Sequence, residues 1–461
     1  MGVLEKAPEA FVPPALALDI TQQGFNEARR GLLRRSFLAA TAAAWAGNTA
    51  AQAGSNALGD PAILTLPEHS KSLGQAVATE GYGSPSKYEK NLQRRESPGL
   101  TAVGAASVSF TPLQALFGII TPNGLHFERH HQGWFDIDPA GHRLMVHGDT
   151  DQKGAAIAKK ALVFTMDELM RLPSVSKMHF IECGANTGME WGNVAVPTVQ
   201  YTHGMLSCCE YTGVPLKLLL DMIGVDYSRG KYMLAEGADG SSMTRTINLE
   251  SALDDSIVAW GMNGEMLRPE NGYPLRLVVP GVQGVSWVKY LRRLKVSDTP
   301  FDTKDEVLHY VDMMPDGISR QYTSIQECKS VITSPSGGQR LLAAGHYTIT
   351  GLAWSGRGSV TAVDVSVDGG ISWKRAKLET PVLDKCLTRF NMPWEWNPRD
   401  ANSLGTKPAL LQSRAIDSTG YVQPQYGQLR AVRGTRSIYH NNAIQTWQVN
   451  PSGEVENVHV A

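Results

Sequence analysis

At 461 residues the chain exceeds what one ordinary hydrophobic core organises, so two or three domains are expected. It has 42% hydrophobic and 19% charged residues, and 43 Lys+Arg against 44 Asp+Glu give a formal charge of -1. That balance excludes the basic excess that nucleic acid or an anionic membrane surface demands, so any anionic ligand must be held by a local pocket.

The first informative segment is Arg34-Arg35-Ser36-Phe37-Leu38 ahead of the Ala-rich run 39–46. This order resembles a twin-arginine export signal, and Ala50-Ala51-Gln52-Ala53 supplies small residues for cleavage. Residues 1–53 are therefore expected to be a signal peptide addressing the chain to the periplasm. The apolar run is too short to span a bilayer. Residues 54–95 mix Gly, Ser, Lys and Glu without sustained periodicity and read as a linker or extended arm carrying no catalytic residue.

From 96 to 325 the pattern is mixed, and an α+β catalytic domain is expected. Arg143 to Gly148 alternates as a strand, and Leu162-Val163-Phe164 reads as a short strand. A helix follows from Thr165 to Met170, with Thr165 and Glu168 at capping-box spacing. Met178 to Cys183 is a further strand. From 326 to 440 the character becomes all-β: Thr348 to Trp354 alternates, as do Val363, Val365 and Val367 before the turn Asp368-Gly369-Gly370. An immunoglobulin-like sandwich is expected there, with 441–461 as a tail.

The five cysteines, Cys183, Cys208, Cys209, Cys328 and Cys386, form an odd set, so at least one is unpaired in an oxidising compartment. No Cys-x-x-Cys, Cys-x-x-Cys-His or Cys/His zinc spacing occurs, which argues against zinc, an intrinsic c-type haem or an iron–sulfur cluster. Adjacent Cys208 and Cys209 read as small buried residues at a packed helix start.

Four constellations can carry chemistry. In Phe180 to Asn186 an apolar strand ends at Cys183, followed by Gly184 and Ala185, so that a bulky ligand or metal can approach the thiolate; by itself this also suits a structural cysteine. Arg129, His130 and His131 set a guanidinium beside two imidazoles, a combination suited to oxyanions or to a surface ion-pair cluster. Asn271 to Arg276 and Val278 to Lys289 combine glycines with Arg276 and Lys289, a phosphate-cradle composition that matches neither the P-loop nor the dinucleotide fingerprint. Tyr310 offers a hydroxyl and Arg433 a planar cation, though by themselves both residues favour packing or surface roles.

Together these segments resemble the sulfite oxidase family of molybdopterin enzymes, and within it most closely the SoxC-type molybdenum subunits of sulfane (sulfite) dehydrogenases. The stretches that carry the resemblance are Phe180 to Trp191, Gly272 to Arg293, Ser324 to Ser336 and Gly351 to Trp373. It implies a molybdopterin-binding domain followed by an immunoglobulin-like dimerisation domain, one pterin per molybdenum, and Cys183 as the protein's thiolate ligand to the metal. It further implies His131, Asn271, Arg276 and Lys289 against the cofactor, with Asn271 standing where some relatives carry His. Arg129, Tyr310 and Arg433 (or Arg430) would serve the substrate.

The family commonly reads Cys-Ala-Gly-Asn, whereas Cys183-Gly184-Ala185-Asn186 transposes the small residues, as Sox-type subunits do. The resemblance thus implies oxo transfer to sulfane sulfur held on a SoxYZ-like carrier protein, electrons leaving to a SoxD-like c-type cytochrome subunit, and homodimerisation through the second domain. The competing expectations are a dehydrogenase of free sulfite, a periplasmic sulfoxide reductase of the same fold, and a cofactor-free binding protein.

Overall fold

The computed structural model describes residues 81–97, 106–192, 195–239, 243–304, 310–321, 325–398 and 408–460, with isolated positions 67, 71, 73 and 306. The arginine pair, the Ala-rich run and the expected cleavage site lie outside the described residues. Contacts divide the chain into Met1–Ser84 and Pro85–Ala461, and every strand among the described residues belongs to the second unit.

The first half of this second unit holds two five-stranded sheets. One has the order Leu162–Thr165, Arg143–Gly148, Leu291–Ser297, Tyr232–Gly237, Thr244–Asn248, with the second and third strands parallel. The other is antiparallel and runs Glu265–Met266, Ile257–Met262, Leu206–Pro215, Val175–Glu182, with Arg276–Val278 also on Ile257–Met262. The expected strand 143–148 and the helix Met166–Met170 are present. Both arms of the capping box form: Glu168 N donates to Thr165 Oγ1 (3.2 Å) and Thr165 N to Glu168 Oε2 (2.8 Å). Helix Leu216–Ile223 buries Leu216, Leu219, Leu220 and Ile223 on one face and stops where Gly224 takes a φ of 70°.

The second half is a sandwich of two antiparallel sheets. The first runs Lys329–Ser334, Gly345–Trp354, Thr388–Trp396, Lys377–Leu378; the second runs Lys374–Arg375, Val360–Ser366, Ala409–Asp417, Thr446–Val449, Val455–Val458. The expected turn after Val360–Ser366 forms, with Gly369 and Gly370 at φ 76° and 92°. The segment 441–461, expected as a tail, instead supplies two strands of the second sheet. Similarly, the far end of the expected arm is built in, since Arg95–Glu96 pairs with Ser107–Phe110.

Strands Val175–Glu182 and Leu206–Pro215 lie between two cores. Ile181 and Cys209 belong to the core of the first half, Phe180 and Cys208 to that of the sandwich. The expectation that Cys208 and Cys209 open a helix is therefore corrected: they sit in mid-strand. Successive strand residues point to opposite faces, and with both faces buried the polar–apolar alternation that announces a strand vanishes. Each large apolar side chain on this sheet contributes roughly 1.5–3 kcal/mol by burial.

Candidate active site

Cys183 follows directly on the strand Val175–Glu182. Its N–H donates to Met205 O (3.0 Å), and Asn186 N returns to Cys183 O (2.9 Å), so the chain turns tightly beneath the thiol. Gly284 lets a neighbouring loop press against this turn, because a Cβ there would stand 3.1 Å from Glu182 O.

The thiol faces a cavity that opens to solvent, with about 770 Å³ of space between its walls and across its opening. Seven of the residues singled out from the sequence line it: Arg129, His131, Cys183, Asn271, Arg276, Lys289 and Tyr310. The eighth, Arg433, ends helix Tyr426–Arg433 and is not among the lining residues; its Nη2 holds Asp312 Oδ2 at 2.7 Å. Arg430 lies on the same helix, its guanidinium 5.3 Å from the Tyr426 ring centroid.

One end of the cavity is a cationic cradle. Arg276 is anchored by donating to Asn271 O (2.9 Å) and Trp287 O (3.1 Å), yet its Nε has no partner. Lys289 Nζ donates to His130 Nδ1 at 2.9 Å and reaches Glu270 O and Arg129 O at 3.3 and 3.4 Å. Burial pushes this ammonium down to about 7, and the Arg276 charge adds to the effect. Gly272, at φ 106°, makes room for the Lys289 stem, whose Cβ would stand 2.9 Å from an added methyl.

His126, which no sequence pattern singles out, also lines the cavity. Its Nδ1 donates to Phe127 O (2.7 Å), which fixes the tautomer and leaves Nε2 an acceptor without a partner. Burial, helped by the Arg276 charge, pushes this imidazole down to about 3, so it stays neutral. Asn271 Oδ1 is likewise buried and unpartnered. The only sequence signal for His126 is its place three residues before the Arg129-His130-His131 run.

At the other end stand the thiol, Arg129 and Tyr310. The Tyr310 hydroxyl lies 3.4 Å from His131 Nε2. The Tyr310 ring stacks on Tyr439 (centroids 5.0 Å apart, 29° between planes), and the Arg245 guanidinium sits 4.4 Å from its centre. No sequence pattern points to Tyr439 or Arg245. Burial first, then the Cys183 charge, pushes the Tyr310 phenol up, while burial pushes the Cys183 thiol up and Arg129 opposes it.

These residues fit a metal group that brings most of its own ligands. Among the described residues no cluster of three or more His, Cys, Asp or Glu could hold a bare ion. Cys183 thus offers one soft donor beside a cradle for an anion, with unpartnered buried polar atoms on Arg276, His126 and Asn271 awaiting a hydrogen-bonding ligand.

Residues 131–304 match the oxidoreductase molybdopterin binding domain and residues 320–447 the Mo-co oxidoreductase dimerisation domain. The chain is similar to mitochondrial sulfite oxidase of Mus musculus, 31% identical over 67% of this chain and 58% of that protein. It is similar to sulfite oxidase of Gallus gallus, 29% identical over 79% of this chain and 82% of that one. The chain spans little more than half the length of the mitochondrial relative. Among solved structures it resembles the sulfane dehydrogenase SoxCD from Paracoccus pantotrophus, with a TM-score of 0.81 and 44% identity over 88% of this chain and 100% of that chain.

Proposed function

The chain belongs to the sulfite oxidase family of molybdopterin oxidoreductases, and on that premise we propose that it is the molybdenum subunit of a periplasmic Sox-type sulfane/sulfite dehydrogenase. In this reading it oxidises sulfane sulfur presented on a carrier protein and passes electrons to a separate c-type cytochrome subunit. The observation that carries it is the single cavity in which the Cys183 thiol and the Arg276–Lys289 cradle face the same space. The likeness to a sulfane dehydrogenase over the whole of that chain supports the substrate class and the cytochrome partner. The Arg34-Arg35 motif supports export, and the match to a dimerisation domain supports pairing of two copies.

Cys183 would hold the metal through its thiolate, Arg276 and Lys289 the anionic end of the pterin, and His126 Nε2 and Asn271 its polar edge. When bound, this group supplies an oxygen atom for transfer to sulfur and a metal able to take up two electrons. The protein does the rest. Arg129, at the thiol end, binds the anionic sulfur substrate and neutralises charge that builds as oxygen is added. Tyr310 keeps its proton, because burial and the Cys183 charge both oppose ionisation, and so presents a hydrogen-bond donor to the reacting oxygen. His131 and Tyr439 hold that hydroxyl and its ring in place. The apolar walls from Ile181, Val285 and Trp287 limit water around the site.

The test is metal analysis of protein exported and purified from its own periplasm, with cytochrome c reduction measured with sulfite, and with thiosulfate plus the carrier proteins. About one molybdenum per chain and carrier-dependent activity are expected. Direct sulfite activity without the carrier would make it a sulfite dehydrogenase, and folded metal-free protein would overturn the cofactor assignment.

A further inference from the structure

The turn that carries Cys183 is gripped by the second half of the chain. Glu182, immediately before the cysteine, is 3% exposed, and both its carboxylate oxygens are engaged. Oε1 accepts from Lys329 Nζ (2.9 Å) and from Asn186 Nδ2 (3.0 Å), while Oε2 accepts from Trp354 Nε1 (2.8 Å). Its backbone carbonyl takes a further hydrogen bond from Gln326 Nε2 (3.1 Å). Lys329 and Trp354 both belong to the first sheet of the sandwich.

The far side of the turn is held by the same cation. Lys329, 2% exposed, also donates to Thr187 Oγ1 at 3.0 Å. Thr187 is a β-branched residue at φ 62°, a left-handed conformation that costs on the order of 1–3 kcal/mol and persists only when neighbours over-determine it. Here they do: Thr187 N donates to Thr202 O (2.9 Å), Thr187 Oγ1 to Asn441 O (2.8 Å), and His440 N to Gly184 O (2.7 Å). One ammonium thus ties the residue before the cysteine to the residue four places after it.

Stability alone does not account for such a pair, since a buried ion pair is often matched or bettered by apolar residues of similar volume. What it gives is geometry: two fixed oxygens around one cation define the turn. We propose that Lys329, acting through Glu182 and Thr187, is a positioning residue that sets the direction of the Cys183 thiolate, so that the second domain takes part in building the metal site as well as in dimerisation. This rests on the reading of Cys183 as the metal ligand.

The test uses the full exported chain in three forms: Lys329→Met; Lys329→Met with Glu182→Gln, which removes both charges together; and Trp354→Phe, which deletes one donor and keeps an aromatic ring. Molybdenum content and the thiolate-to-metal absorption band are read in the loaded protein. In cofactor-free protein the alkylation rate of Cys183 by iodoacetamide is read, with Cys183→Ser as the blank. The double variant is expected to keep its melting temperature within a few degrees. It should lose at least half of its molybdenum, shift the absorption band, and alkylate at least threefold faster, with Trp354→Phe moving the same way by less. If the double variant unfolds, the Trp354→Phe rates decide alone. Unchanged metal content, band and alkylation rate overturn the proposal. A wild-type protein without molybdenum would instead overturn the functional reading, and the cofactor-free alkylation rates would still decide whether Lys329 orders the turn.

Discussion

Tyr310 and His131, 179 residues apart in the chain, bring a phenol oxygen and an imidazole nitrogen to 3.4 Å in the lining of the Cys183 cavity. The Tyr310 ring is fixed independently by Tyr439 and Arg245, so the hydroxyl can be removed without disturbing the packing. Tyr310→Phe is expected to lower kcat roughly a hundredfold, the scale of deleting one aimed donor, with little change in melting temperature. Steady-state kinetics beside a thermal melt checks this; an equal loss of stability would make the tyrosine a packing residue.

Cys183→Ser replaces the one thiol among the described residues that line the cavity. Because the turn is held by Glu182, Asn186 and Thr187 rather than by the sulfur, the fold is expected to survive while bound molybdenum falls to a background level. Elemental analysis and circular dichroism on the same sample measure both outcomes.

Lys289 gives a pH signature. Its ammonium is pushed from 10.5 down to about 7 in the cofactor-free protein. Because the folded value lies below the unfolded one, the folded chain sheds a proton that the unfolded chain keeps, and its stability falls as pH drops from about 10 towards 7. Anion capture runs the other way: the cradle loses a charge as pH rises through about 7, so pyrophosphate affinity of cofactor-free protein should weaken between about pH 6 and 8. Calorimetric titration across that range should show the slope in the native protein and none in Lys289→Met.

Arg433 and Arg129 are expected to separate cleanly. Asp312 is 1% exposed and accepts from both Arg433 Nη2 and Ile438 N, so Arg433→Ala leaves a buried carboxylate short of its cation. A loss of about 1–3 kcal/mol in denaturant unfolding is expected, below the full cost of breaking a buried pair because Arg433 itself is partly exposed. Arg129→Gln should instead raise KM with stability unchanged. A KM effect confined to Arg433→Ala would restore it as the substrate arginine.

Glu190 offers a second pH test away from the cavity. Burial raises its carboxyl from 4.5 to about 7, although Asn457 Nδ2 donates to it at 2.9 Å. A raised folded value means the associated stability is present below about pH 4.5 and is lost as pH rises to about 7, by up to about 3 kcal/mol. Melting curves of Glu190→Gln should lack that decline.

Local chemistry is legible without coordinates. The strand ending at Cys183, the capping box at Thr165 and Glu168, and the glycine-rich run holding Arg276 and Lys289 each depend on neighbours within a few residues, so spacing alone reports them. His126 escapes such a reading because a single histidine announces nothing until burial and a fixed tautomer turn its Nε2 into an orphan acceptor. Cys208 and Cys209 mislead because burial on both faces erases the period of two.

The sequence by itself determined which residues can bond a soft metal and which can hold an anion, since thiol and guanidinium chemistry travels with the side chain. Only the tertiary structure decided how those groups are held. Lys329 meets Glu182 across 147 positions, Arg433 turns to Asp312 rather than lining the cavity, and Arg245 and Tyr439 enclose Tyr310. Such pairings are set by desolvation and packing between distant segments, and no local pattern records them.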